Sequence, residues 1–118
     1  MSDYQAIINE QFENRSNINS KNASEELKQA VENTMANLDS GQLRVAEKID
    51  GKWVTHQWLK KTVLLSFLLR ENSVIEGGIT NYFDKVPTKF YGYTKSDFLD
   101  KGAPRIVPPA TARYGSYI

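Results

Sequence analysis

The sequence predicts an α+β domain that is mainly helical and carries one β-hairpin, at about Leu43 to Thr55. Three observations support this fold class: an Asp50-Gly51 pair between two short alternating runs, a nearly all-apolar helix directly after them, and two upstream segments with apolar residues at helical spacing. Asp-Gly indicates a hairpin because a type I′ turn needs positive φ at both central positions. The resulting register pairs Ile49 with Lys52, Lys48 with Trp53, Glu47 with Val54 and Val45 with His56.

Two amphipathic helices precede the hairpin. The first is predicted to start near Ser2 or Asp3 and to fray in the polar segment 14–22; its apolar face is Tyr4, Ile7, Ile8 and Phe12. The second is predicted to start at Asn22, whose side chain would cap it while Glu25 reaches back, and to end at Gly41. Its apolar face is Leu27, Val31, Met35 and Leu38.

The helix after the hairpin is predicted to be buried on most of its surface, with Thr55 as its cap. Only Lys60 and Lys61 form a polar side; the apolar residues are Trp58, Leu59, Val63, Leu64, Leu65, Phe67, Leu68 and Leu69. We expect residues 71–89 to be an ordered loop with a turn at Gly77-Gly78. A last short helix is predicted from Thr94, with Asp97 completing a capping box and Phe98 and Leu99 buried.

Composition excludes several classes of function. Fifteen Lys and Arg balance fourteen Asp and Glu, so no global field recruits nucleic acid or an anionic membrane. The absence of cysteine removes disulfides and thiolate chemistry, and a single histidine argues against a structural metal site. The longest apolar run, 63–69, is too short to span a bilayer. Asp3 and Glu10 lie where a signal peptide would need cations and an apolar stretch. We therefore expect a cytoplasmic protein.

The last residues differ from the rest. After Asp100 there is no acidic residue, and the prolines at 104, 108 and 109 favour extended backbone. The sequence thus predicts a helical and hairpin domain over residues 1–102 and an extended, locally cationic linker over residues 103–118.

Three candidate sites have simple structural explanations. His56 could be a general base, but it lies where the positive end of a helix disfavours a charged ring, and no serine, cysteine or carboxylate motif surrounds it. Lys60-Lys61 could bind phosphate but is typical of a solvated helix face. Gly77-Gly78 lacks the spacing of a phosphate-binding loop.

Arg105 is a stronger candidate. It lies between Pro104 and the Pro108-Pro109 pair, on restricted backbone, and its planar guanidinium can bind a carboxylate through two hydrogen bonds. Lys85 and Arg113 are weaker candidates of the same kind. From spacing alone, an ordinary surface arginine explains the pattern equally well.

Three collinear segments carry a resemblance to a known family: LDSGQLRVAEKIDGKWVTHQWLKKTVLLSF, YFDKVPTKF and RIVPPATARYGSYI. They resemble the N-terminal region of bacterial 2,3,4,5-tetrahydropyridine-2,6-dicarboxylate N-succinyltransferases. The resemblance implies transfer of succinyl from succinyl-CoA to ring-opened tetrahydrodipicolinate in lysine and diaminopimelate biosynthesis, with no metal. It also implies that Arg105, in the R-[VI]-V-P-P segment, binds the dicarboxylate.

The resemblance further implies a homotrimer whose catalytic domain is a left-handed parallel β-helix of hexapeptide repeats. Residues 103–118 would lead into that domain, so the succinyl-CoA site and the catalytic residues would lie outside these 118 residues, and the chain alone would be inactive. The alternative is a stand-alone, non-catalytic binding module, in which the hairpin and its helix bury their apolar surface on a partner and Arg105 is incidental.

Overall fold

The computed structural model describes residues 3–118 and contains four α-helices and two small antiparallel sheets. The helices are α1 (Asp3–Phe12), α2 (Glu25–Ser40), α3 (Gln57–Leu68) and α4 (Lys95–Asp100), with a 3₁₀ turn at Arg15–Asn17. The strands are β1 (Ala46–Ile49), β2 (Lys52–Thr55), β3 (Ser73–Glu76) and β4 (Asn81–Asp84), paired β1 with β2 and β3 with β4. The predicted α+β, mainly helical class is confirmed.

The core lies between α1, α2 and α3, which pack against one another in all three pairs. Its buried residues are Ile8, Ile18, Leu27, Ala30, Val31, Met35, Leu38, Leu59 and Leu65. The predicted apolar face of α2 therefore forms the centre of the core. The predicted start of α1 near Ser2 lies outside the described residues; within them α1 begins at Asp3.

The predicted start of α2 is wrong by two residues. Ser24 is the N-cap, and its hydroxyl accepts from the backbone N–H of Leu27 at 3.1 Å. The Asn22 side chain instead closes the preceding turn, accepting from Asn19 N–H at 2.8 Å and donating to Asn17 O at 2.7 Å. Asn22 is thus engaged before the helix begins, although the predicted end at Gly41 is confirmed.

The β1–β2 hairpin has the predicted turn and register, although its first strand begins at Ala46 rather than near Leu43. Asp50 and Gly51 have φ of 51° and 80°, the positive values that a type I′ turn needs. Beyond the strands, His56 N–H donates to Val45 O at 2.8 Å. Because the chain is still extended at Thr55, the N-cap of α3 is His56, without a side-chain hydrogen bond, and the predicted cap at Thr55 is wrong.

Helix α3 is less buried than predicted. Its fully covered residues are Leu59, Thr62, Leu65 and Ser66, whereas Leu64 is 49% exposed and Leu68 37% exposed. Only α1 and α2 among the described helices and strands pack extensively on this helix, and the side that carries Leu64 and Leu68 stays open.

Within residues 71–89, β3 and β4 form a second hairpin over residues 73–84, so the predicted ordered loop is wrong there, while the predicted turn at Gly77-Gly78 is confirmed. In α4 the capping box of Thr94 and Asp97 is confirmed. Phe98 is half-buried, but Leu99 is 58% exposed, contrary to the prediction. None of the helices within residues 3–118 has the length and apolar content needed to cross a membrane.

Candidate functional site

Arg105 lies on a loop whose two ends are held side by side. Residues 87–89 run antiparallel to residues 112–114: Lys89 N–H donates to Ala112 O at 2.9 Å, Tyr114 N–H donates to Pro87 O at 2.9 Å, and Thr88 and Arg113 form an isolated β-bridge. We call these two paired segments the stem and residues 90–111 the Arg105 loop. The stem holds the two ends of the loop together and lies between the loop and the helical core.

The Arg105 loop has its own internal contacts. The rings of Phe90, Tyr93 and Phe98 pack together with centroid separations of 5.1 to 5.4 Å. Asp97 accepts from Thr94 N–H at 2.8 Å and from the Thr94 hydroxyl at 3.0 Å. The backbone bond, and after it the hydroxyl bond, holds the pKa of the Asp97 carboxyl below its usual value. The first half of the loop is thus a small ordered unit.

The backbone next to Arg105 is constrained on both sides. Ala103 N–H donates to Phe98 O at 2.9 Å, and Ala103 has a φ of 54°, which non-glycine residues seldom adopt. On the other side, the Pro108-Pro109 bond is cis and Ala110 N–H donates to Val107 O at 2.7 Å. The Arg105 side chain is exposed and makes no ion pair with any residue of 3–118. All five guanidinium donors are therefore available to an anion.

The two weaker cation candidates lie elsewhere. Arg113 Nη2 is 3.7 Å from Asp84 Oδ2, and its guanidinium lies 5.6 Å from the centre of the Phe67 ring, so it already has partners within the chain. Lys85 lines a cleft of about 580 Å³ beside the β3–β4 hairpin, together with Arg70, Glu71, Glu76, Asp84 and Tyr91 among others. Arg105 does not line that cleft, so the structure does not bring the candidate cations into one site.

His56 has a carboxylate neighbour that the sequence analysis missed. Its Nε2 lies 2.8 Å from Glu47 Oε2, with both side chains partly exposed. The two residues are diagonal neighbours on one face of the β1–β2 hairpin, so the register contained the signal. Their contact joins the hairpin to the start of α3.

Lys60 and Lys61 do not act as one patch. Lys61 Nζ donates to Asn9 Oδ1 at 3.3 Å and lies 5.4 Å from the centre of the Phe12 ring, so it is engaged with α1. Lys60 is exposed. Within residues 3–118, no group of three or more His, Cys, Asp or Glu side chains is placed to hold a metal ion.

A second feature that the sequence analysis missed is the attachment of the stem to α2. Asp39 Oδ1 accepts from Lys89 Nζ at 2.9 Å and from Gly115 N–H at 2.9 Å. Lys89 Nζ also donates to Asp39 O at 2.8 Å. The one sequence signal was an acidic residue in the last turn of a helix, where the helix dipole disfavours negative charge unless a cation is near.

Comparison with known proteins identifies relatives along the whole chain. Residues 3–69, more than half of the chain, match the family model for the N-terminal region of tetrahydrodipicolinate N-succinyltransferase. Three curated relatives bear the name 2,3,4,5-tetrahydropyridine-2,6-dicarboxylate N-succinyltransferase. The relative from Nitrosomonas europaea is 52% identical over 118 residues, the one from Acinetobacter baylyi 53% over 117, and the one from Methylobacillus flagellatus 55% over 119.

These alignments cover 99 to 100% of this chain but only 42 to 43% of each relative. The chain thus spans less than half the length of the curated relatives it matches. The predicted resemblance is confirmed, and the chain belongs to the tetrahydrodipicolinate N-succinyltransferase family.

Proposed function

We propose that the chain is the N-terminal part of an N-succinyltransferase and that Arg105 binds its dicarboxylate substrate. The observation that carries this proposal is the identity of 52 to 55% along the whole chain to relatives named for that reaction. The proposed substrates are succinyl-CoA and the ring-opened form of tetrahydrodipicolinate, 2-amino-6-oxopimelate. The reaction belongs to lysine and diaminopimelate biosynthesis in the cytoplasm and needs neither a metal nor a bound cofactor.

In the proposed reaction the substrate amine attacks the thioester carbonyl carbon of succinyl-CoA. A C–N bond forms, the carbonyl oxygen carries negative charge in the tetrahedral intermediate, and the C–S bond then breaks. The amine loses a proton and the departing thiolate of CoA gains one, which leaves an N-succinyl amide. Such a step needs a proton acceptor and donors to the oxyanion. We assign neither role to residues 1–118.

Arg105 would bind and orient the substrate. A dicarboxylate needs fixed cations, and an exposed guanidinium without an internal partner can bind a carboxylate through two parallel hydrogen bonds. Its place on a loop with a closed stem and internal contacts favours a fixed position, and a held substrate loses less entropy on the way to the transition state.

The remainder of the enzyme follows from the family. Residues 1–102 would form the helical and hairpin domain. Residues 103–118 would lead into a left-handed parallel β-helix of hexapeptide repeats that assembles as a homotrimer and supplies the succinyl-CoA site. The enzyme would act on small molecules, without nucleic acid or membrane partners.

The test is Arg105→Lys in the full-length enzyme, with CoA release measured against each substrate in turn. Lysine keeps the charge but cannot make the bidentate contact. A hydrogen bond to a charged group contributes about 1.5–3 kcal/mol, so we expect KM for the dicarboxylate to rise roughly tenfold or more and KM for succinyl-CoA to stay nearly constant.

The matched control is Arg113→Lys, because Arg113 is the other arginine of the segment and already has partners in the chain. Equal increases in KM for both substrates, or a larger effect of Arg113→Lys, would count against Arg105. Residues 1–118 alone should show no succinyl transfer; measurable turnover by them would contradict the placement of the catalytic groups.

A further inference from the structure

Both ends of the Arg105 loop converge on one carboxylate of α2. Lys89 immediately precedes the loop, and Gly115 follows the second segment of the stem; both donate to Asp39 Oδ1, each at 2.9 Å. The bond from Lys89 Nζ to Asp39 O, at 2.8 Å, adds a second link to the same residue. A single side chain therefore joins the two sides of the stem to the end of α2.

The contact is largely shielded from solvent. The Lys89 side chain is only 6% exposed and that of Asp39 23%. The ammonium also lies at the C-terminal end of a helix, where the backbone carbonyls favour a cation. Removing the Asp39 charge would leave the buried ammonium with neutral acceptors only, which is costly in a site of low polarity.

Two glycines with positive φ lie where α2 and the residues after the stem meet, each against a side chain of the other segment. Gly115 has a φ of 104°, and a Cβ there would lie 2.6 Å from Met35 Cε. Gly41, at the end of α2, has a φ of 83°, and a Cβ there would lie 2.7 Å from Tyr117 Cδ1. Burial, followed by the nearby charge of Asp39, also raises the pKa of the Tyr114 phenol, which is consistent with tight packing here.

The loop itself has few other attachments. Helix α4 has no buried residue, and none of the other helices and strands within residues 3–118 packs extensively on it. The loop is ordered internally by its aromatic cluster and by the bond from Ala103 N–H to Phe98 O. Its orientation relative to the core is therefore set at the stem.

From this geometry we infer that Asp39 is a positioning residue of the dicarboxylate site, because it fixes the stem of the loop that carries Arg105. The inference rests on the proposed role of Arg105. Asp39 does not touch the substrate in this scheme. It holds the Arg105 guanidinium in the position from which it binds the substrate carboxylate. A misplacement of about 1 Å can lower a rate by about a hundredfold. A shift of the stem that moves Arg105 by such a distance would therefore weaken its contact with the substrate.

The test is a double-mutant cycle in the full-length enzyme with Asp39→Asn and Arg105→Ala. Asparagine keeps an acceptor for Gly115 N–H but removes the negative charge beside Lys89. We expect Asp39→Asn to raise KM for the dicarboxylate about tenfold with little change in KM for succinyl-CoA. In the Arg105→Ala background the same change should raise it less than twofold, because the group being positioned is gone.

The control is Glu25→Gln, which removes another ion pair of α2, the one with Lys28 at 3.5 Å, in the first turn of the helix and so at the opposite end from Asp39. It should leave both KM values unchanged. A merely structural role for Asp39 would instead affect both substrates and give the same factor in both Arg105 backgrounds, which would overturn the inference.

Two further outcomes separate the inference from the proposed function. If Arg105→Ala leaves KM for the dicarboxylate unchanged, the role of Arg105 is wrong and the positioning role falls with it. If Arg105→Ala raises that KM but Asp39→Asn does not, only the positioning role is wrong.

Should Asp39→Asn fail to fold, Lys89→Gln provides a second variant. It removes the charge from the other side of the pair and keeps a donor. The same selective rise in KM for the dicarboxylate is expected, and an unchanged KM overturns the inference.

Discussion

Two glycines with nearly the same backbone conformation but different surroundings provide a direct measure of how firmly the end of the chain packs on α2. Gly41 has a φ of 83° and Gly51 a φ of 80°. A Cβ at Gly41 would meet three ring atoms of Tyr117, at 2.7 to 2.9 Å, whereas nothing lies within 4 Å of a Cβ at Gly51. Gly51→Ala is therefore a matched control for Gly41→Ala.

The expected destabilisation follows from two contributions. An alanine in the left-handed region costs roughly 1–2 kcal/mol, and this applies to both variants. At Gly41 the ring of Tyr117 must also move. It then loses its packing and its cation–π contact with the guanidinium of Arg44, which lies 5.2 Å from the ring centre. Because Tyr117 is 56% exposed, we expect this second contribution to be about 1 kcal/mol. Gly41→Ala should thus destabilise by about 2–3 kcal/mol and Gly51→Ala by about 1–2 kcal/mol.

The assay is urea unfolding of the 118-residue chain at equilibrium, with Tyr117→Ala as a second background. In that background the cost of Gly41→Ala should fall to that of Gly51→Ala, since the ring that opposes the new methyl group is absent. A difference of 1 kcal/mol corresponds to about 4 °C in Tm for a domain of this size. Equal costs of the two alanines beside an intact Tyr117 would refute the contact and weaken the case for a fixed stem.

Two further predictions concern the core and α4. Leu65→Ala should destabilise by about 2–5 kcal/mol because Leu65 is fully buried, while Leu64→Ala, one residue away and 49% exposed, should cost less than about 1 kcal/mol in the same urea titration; similar costs would contradict the orientation of α3. The folded-state pKa of Asp97 is lowered from about 3.8, so its stabilising contribution is present above that pH and is lost as the pH falls through the lower folded value. The stabilities of wild type and Asp97→Asn should therefore differ near neutral pH and converge in acid, and a gap independent of pH would rule out this linkage.

Local signals in the sequence predicted local structure well. The turn at Asp50-Gly51 determined a register because two positive φ values in succession suit few other pairs. The capping box at Thr94 and Asp97 is likewise a short-range pattern, closed within four residues. The end of α2 at Gly41 required only a residue that tolerates positive φ.

The errors arose where several residues could serve one purpose or where distant parts of the chain meet. Asn22 and Ser24 are both good N-caps, and only the preceding turn, which engages Asn22, decides between them. Both hairpins have four residues in each strand, but the β3–β4 hairpin lacks an Asp-Gly pair between its strands that would indicate the turn and register. Leucine is usually a core residue, but the exposure of Leu64 depends on which helices pack around it.

The candidate site shows the same division. Arg105 was identifiable because prolines flank it at close range. Asp39 was not, because Lys89 lies 50 positions away along the chain and a contact of that range has no local signature. The contact of Glu47 with His56 was within reach, since it follows from a register that was correctly predicted.

The stem also allows the Arg105 loop to change in sequence and length independently of the helical core. Because Thr88 and Arg113 already hold its ends together, a change in the length of residues 90–111 alters only a closed excursion of the chain. The entropy of closing such a loop grows slowly, by about 0.6 kcal/mol for each doubling of its length. The three-helix core can thus tolerate insertions, deletions or replacement within residues 90–111, so that, if Arg105 binds substrate as proposed, specificity could change while the core stays the same.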